Sequence, residues 1–137
     1  MRRSQLPAVI PESHKDLLER PVLFNLATVQ ANGQPQVTPV WADVVDGMIR
    51  VNTAAGRQKH RNLLQRPQAT VLVVDPDNGM RYLEIRGKVV SSTDHDGDEV
   101  IDQLAKKYLG VETYPWRNPA ETRVTFLIEP TNVVVSG

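Results

Sequence analysis

The residues with the clearest chemical potential lie between Gly47 and Val74, where Arg50, Arg57, Lys59, Arg61 and Arg66 occur without a single acid. Three of these bases fall within Gly56-Arg57-Gln58-Lys59-His60-Arg61-Asn62-Leu63, at the first turns of a predicted helix that directly follows a strand. A helix N-terminus offers unpaired backbone N–H groups and the positive end of the dipole, so it attracts phosphate. Arg57 can fork two hydrogen bonds onto phosphate oxygens, and Lys59 adds a point charge. Asn52 and Thr53, just upstream, supply short polar side chains. An exposed basic helix is the alternative explanation of the same residues.

A second departure from ordinary patterning is Pro39, inside the apparent strand Pro35–Val45. Proline cannot donate to a ladder, which places this stretch at an edge or bulge with backbone groups near Thr38–Val40 open to a ligand. Gln36, Thr38 and Val40 share one face; Val37, Pro39 and Trp41 share the other. A plain edge strand carrying a packed Trp41 explains the pattern as well.

Other chemistries find little support. No nucleotide-binding glycine pattern, phosphate-loop lysine motif or nucleophile elbow occurs. No side chain is singled out as catalytic. His14, His60 and His95 have no ligand spacing between them and are read as solvated, and no metal is expected. Asp94, Asp96, Asp98, Glu99 and Asp102 lack calcium-loop spacing. They fit acids at a helix start, with Lys106 and Lys107 at the other end.

Several elements position these residues. A short helix is expected over Glu12–Arg20, then an apolar strand Val22–Val29 and a turn at Asn32-Gly33. The strand Pro35–Val45 turns at Asp46-Gly47 into Met48–Thr53, which predicts a meander of three strands. A helix over Arg57–Arg66 precedes Gln68–Asp75, read as a strand buried on both faces. After the turn Asp75–Gly79, Arg81–Ser92 alternates, with Leu83, Ile85, Gly87 and Val89 on one face. Thr93–Leu109 is the one long helix, and Val111–Thr122 a loop holding Tyr114 and Trp116. Two apolar segments, Arg123–Glu129 and Asn132–Ser136, meet at Pro130-Thr131. The expectation is a single mainly β domain over residues 1–137, with peripheral helices around a small antiparallel barrel of six to seven strands.

The whole chain bounds the function further. It has 137 residues, sixteen basic and sixteen acidic side chains and no cysteine. Zero net charge counts against a nucleic-acid surface, and the basic stretch has no aromatic residue on which bases could stack. The lack of cysteine excludes disulfides and Cys-ligated metals. No targeting segment or membrane span is visible, so a cytoplasmic protein is expected.

Val22–Val29, Asn32-Gly33, the stretch Gln34–Trp41 and the run from Val51 to Leu63 together resemble the pyridoxamine-phosphate-oxidase-like split β-barrel superfamily. Within it, the likeness is closest to the small deazaflavin-dependent oxidoreductases that use coenzyme F420 (branch B), and it extends from Leu17 to Val135. The resemblance implies a split β-barrel of the FMN-binding type and a homodimer with cofactor sites at its interface. It implies that Arg57 and Lys59 hold a cofactor phosphate, that Asn52, Thr53, Gln58 and Asn62 line the cofactor, and that Gln36, Thr38, Pro39 and Val40 lie against its ring system. Tyr82, Trp116 and Arg117 are candidates for closing the site from the partner subunit. The activity implied is hydride transfer from reduced F420 to a quinone-like, conjugated or tetrapyrrole acceptor. An FMN enzyme of the same fold and a non-catalytic cofactor carrier are the alternatives.

Overall fold

A computed structural model describes residues 8–137. Seven strands make one antiparallel sheet: β1 (Phe24–Val29), β2 (Pro35–Val40), β3 (Ala42–Val45), β4 (Met48–Ala54), β5 (Gln68–Asp75), β6 (Asn78–Thr93) and β7 (Arg123–Ser136). Their order across the sheet is β2-β1-β5-β6-β7-β4-β3. Its two edge strands, β2 and β3, are consecutive in the chain and separated only by Trp41. The sheet therefore curls back on itself as a split barrel, and both edges lie at the same junction. Three helices, α1 (Asp16–Glu19), α2 (Gln58–Gln65) and α3 (Gly97–Leu109), pack outside the strands, with a 3-10 turn at Glu12–His14.

That junction corrects the expected meander. Pro35–Val45 is not one strand, because β2 pairs with β1 while β3 pairs with β4 at the far end of the sheet. Curling needs a corner, and Trp41 supplies it by leaving the ladder. The barrel interior is filled by alternate residues of each strand, among them Phe24, Leu26, Ile49, Val71, Val73, Leu83, Ile85, Phe126 and Ile128. Non-directional burial of these side chains drives the closure. Strand β5 alternates buried and half-buried positions rather than burying both faces, since only its inner face meets this core.

Long-range pairing also shifts other boundaries. Strand β7 runs unbroken through Pro130, and Thr131 is accommodated as a bulge between Arg86↔Asn132 and Gly87↔Pro130. Pairing with β7 holds β6 extended to Thr93, opposite Thr125, so α3 begins only at Gly97. The segment expected as one helix at Glu12–Arg20 is a 3-10 turn followed by a single α-turn. His14 is buried rather than solvated. Its Nδ1 lies 2.8 Å from the Ser13 hydroxyl and its Nε2 lies 2.9 Å from the Ser136 carbonyl oxygen.

The ring system of the chain is concentrated at the same corner. Trp41 stacks on Tyr108 with centroids 5.5 Å apart and planes 7° from parallel, and meets Tyr114 edge-on at 6.1 Å. Tyr108 donates to the Val22 carbonyl (2.7 Å), and burial pushes its phenol up to about 12. Val100, Ile101 and Leu104 of α3 pack with Trp41 and Tyr114 in a second, smaller core. The split in the barrel is thus sealed by aromatics.

Candidate functional site

Beside this corner lies a cavity of about 290 Å³, lined by Leu23, Pro39, Val40, Trp41, Asn52, Thr53, Arg57, Lys59, Ile101, Tyr114, Trp116 and Arg123. Several pieces of the chain build it: Leu23 before β1, the end of β2 with Trp41, the end of β4 leading into α2, Ile101 of α3, the loop 110–122 and the start of β7. Its lining is of two chemical kinds: cations and short polar groups, and the apolar or aromatic Leu23, Pro39, Val40, Trp41, Ile101, Tyr114 and Trp116.

The polar part of the lining is held by a buried chain of hydrogen bonds. Arg123 is 8% exposed, and its Nε donates to Asn52 Oδ1 at 2.8 Å. Asn52 Nδ2 in turn donates to the Gly97 carbonyl at 2.8 Å. The Arg123 guanidinium also lies over the Tyr114 ring, 5.5 Å from its centroid, a cation–π arrangement. Next to it, Thr53 is 2% exposed and its hydroxyl has no hydrogen-bond partner among the described residues. A buried hydroxyl without a partner is costly, so it marks a place for an acceptor.

Helix α2 brings the remaining cations. Its N-cap residue is Arg57, which makes no side-chain capping bond, and the helix has no acid in its first turn. Its opening N–H groups and dipole therefore have no capping side chain and no acid in the first turn. Lys59 is held below the ordinary lysine value, first by burial and then by the neighbouring charges of Arg57 and Arg123. Three cations converge, and an anion relieves their repulsion.

Lys59 gives a pH test. An anion bound beside it stabilises the charged ammonium, so the bound-state pKa lies above the lowered free-state value. Affinity is full below the free-state pKa and falls as pH rises toward the bound-state one. Binding of a phosphate-bearing ligand, measured between neutrality and pH 10, is expected to weaken progressively. Lys59→Arg, which stays charged, should flatten that profile; a slope unchanged by the substitution counts against Lys59 at the site.

Not every expected site residue lies here. Pro39, Val40, Asn52, Thr53, Arg57 and Lys59 line the cavity, and Trp116 joins them from the same chain. Gln36, Thr38, Gln58, Asn62, Tyr82 and Arg117 do not. Asn62 is fully buried and donates to Thr28 Oγ1 at 3.0 Å, while its Oδ1 accepts from Gln58 at 2.7 Å. These two side chains tie α2 to β1. Gln36 lies 3.3 Å from Thr28 Oγ1 in the same network, whereas the Thr38 hydroxyl is buried with no partner among the described residues. Tyr82 sits on β6 opposite Val74 and Ser136.

Arg117 has a different task. It pairs with Asp102 at 2.6 Å and Asp98 at 3.3 Å, and Asp102 also accepts from the Tyr114 backbone N–H at 2.8 Å. Two acids read as dipole partners of α3 thus fasten the loop that carries the aromatic wall. Arg123 is the principal residue that sequence reasoning missed. Its only signal was a cation at the head of the apolar run Val124–Ile128. Among the described residues, no group of three or more His, Asp or Glu side chains is placed to hold a metal. No helix there is long and apolar enough to cross a membrane.

Comparison with known proteins bears on this arrangement. The family model for pyridoxamine 5'-phosphate oxidase matches residues 10–135. A solved F420 reductase is 36% identical, superposes with a TM-score of 0.81, and is covered over 98% of its length by 91% of this chain. A conserved hypothetical protein from Mycobacterium tuberculosis is 23% identical with a TM-score of 0.72, covering 98% of this chain and 89% of its own. The heme storage protein HutZ from Vibrio cholerae is 19% identical with a TM-score of 0.67, covering 95% and 96%. The last two show the shared fold alone. No curated protein matches the chain.

Proposed function

The chain belongs to the pyridoxamine 5'-phosphate oxidase family, and from that premise we propose that it is an F420-dependent oxidoreductase acting on a small organic acceptor. The acceptor class we assign is quinone-like, a conjugated enone or a tetrapyrrole. The observation that carries this reading is a cavity of about 290 Å³ whose lining combines Arg57, Lys59 and Arg123 with aromatic and apolar side chains. The 36% identity to an F420 reductase over nearly the whole chain supports the choice of deazaflavin over flavin.

The residues fit such a cofactor. Arg57, Lys59, Arg123 and the α2 N-terminus would hold its phosphate, with the unpartnered Thr53 hydroxyl as a further donor. Pro39, Val40 and Trp41 present an apolar face to a planar ring, on an edge strand whose proline has no N–H to give. When bound, F420 supplies the hydride. The chain's own contribution is to hold ring and acceptor together and to exclude water, with Leu23, Tyr114 and Trp116 as the excluding groups. No side chain is assigned the proton, which solvent can deliver.

A cavity of this size lies at the lower limit of ligand sites, which occupy roughly 300–1,000 Å³. Trp116 (63% exposed) and Leu23 leave apolar surface at its rim. We therefore propose that a second copy of the chain completes each site, as a homodimer. Tyr82 and Arg117, which do not line the cavity of their own chain, contact the cofactor only if they reach a partner's site.

Fluorescence titration of the purified protein with F420 and with FMN tests the cofactor. Tight F420 binding is the expected result, and retention of FMN alone would move the assignment to an FMN enzyme of the same fold. Arg57→Ala is expected to weaken F420 binding about tenfold, since Arg57 is half exposed and its bond to phosphate is partly screened. An unchanged dissociation constant would misplace the site. Hydride consumption across quinone, enone and biliverdin acceptors then separates an enzyme from a carrier; silence with all three would identify the carrier.

A further inference from the structure

Near its end, the loop 110–122 carries a carboxylate, Glu121, that has no part in holding the proposed cofactor. Glu121 Oε2 accepts from Arg123 Nη1 at 3.2 Å, and Oε1 lies 3.7 Å from Arg57 Nη2. One acid thus bridges two of the three cations of the proposed phosphate subsite. It does not hold Arg123 in place alone, because Asn52 and the Tyr114 ring fix the same guanidinium from other directions. Nor does it line the cavity; it lines a small cleft with Asp98, Tyr114, Arg117 and Arg123.

We infer that Glu121 is a built-in competitor that sets the affinity of the anion subsite. Its carboxylate engages Arg57 and Arg123, and a ligand's phosphate has to share or take over those donors. Both anions draw on the same positive field, so each weakens the other's hold. A doubly charged phosphate monoester pays more of this cost than a singly charged diester or a carboxylate. The Glu121 side chain therefore lowers affinity and narrows the advantage of the more highly charged ligand. This inference rests on the phosphate subsite of the proposed function but not on the identity of the ring-bearing cofactor.

The test uses Glu121→Gln in the full chain. The amide keeps an oxygen for Arg123 and loses the charge. F420, FMN, riboflavin and inorganic phosphate are titrated into this variant and into the unsubstituted protein in parallel, phosphate being followed by calorimetry. FMN and phosphate are expected to bind about tenfold more tightly to Glu121→Gln, a change comparable to a single partly screened charge at close range. Riboflavin, which lacks the phosphate, is expected to bind equally to both proteins. Glu121→Ala should shift in the same direction, which covers a folding failure of the first variant. Unchanged or weakened phosphate affinity in a variant with a native thermal melt overturns the inference, as does absence of phosphate binding by every form. If no form binds FMN or F420 but phosphate still tightens on substitution, the cofactor assignment fails and the role of Glu121 stands.

Discussion

Arg123→Ala is expected to weaken binding of a phosphate-bearing cofactor about a hundredfold, the largest effect of any single side chain at the site. A hydrogen bond to a charged group contributes about 1.5–3 kcal/mol, and about 1.4 kcal/mol corresponds to a factor of ten. Arg123 reaches the upper part of that range because it is 8% exposed and already oriented by Asn52 and the Tyr114 ring. Little entropy remains to be lost when it binds. Arg123→Lys keeps a charge but not the planar fork that meets Asn52 and a phosphate together, so it should recover only part of the affinity. Fluorescence titration beside a thermal melt checks this. A loss below about threefold in a folded protein would remove Arg123 from the site.

Gly97→Ala is expected to cost about 3 kcal/mol of stability, at the upper end for overpacking, because the obstacle is backbone. A Cβ at position 97 would overlap the carbonyl of Arg123, where the start of α3 crosses β7. A flexible side chain can swing aside; a strand carbonyl inside a ladder cannot. The same shift would pull the Gly97 carbonyl away from Asn52, and with it the bond that orients Arg123. Denaturant unfolding should therefore report lost stability, and titration should report lost affinity in the protein that remains folded. Gly87→Ala is the control. Its Cβ would stand 2.6 Å from the Glu129 carbonyl oxygen, far from the cavity, so stability should fall with affinity unchanged. If Gly97→Ala melts normally, the close approach of α3 to β7 is wrong.

Much of the site was legible because local chemistry announced it. Arg57 and Lys59 stand at a strand-to-helix junction without acids, and that arrangement depends only on neighbours in sequence. Pro39 likewise signals an edge through its missing N–H, and β2 is an edge strand. Asn62 and Gln58 were harder, since their types and spacing suit either a ligand or a neighbouring strand. Only contact with Thr28, 34 residues away in sequence, distinguishes the two. Local sequence makes Asp102 a dipole partner of α3, yet it also fastens a loop twelve to fifteen residues further on.

The bases without acids between Gly47 and Val74, the proline in the edge strand and the alternation of the strands were set by the sequence itself. Each is a local preference, of charge, backbone geometry or side-chain period, and needs no knowledge of distant partners. Tertiary structure alone decided that Trp41 is a corner and not a strand position, that β2 and β3 lie at opposite edges of one curled sheet, and that Arg123 joins Arg57 and Lys59. The physical reason is that these outcomes depend on closing the barrel. Burial of the inner faces brings the start of β7 beside the end of β4, 71 residues apart at the Asn52–Arg123 bond, and no local pattern encodes that distance.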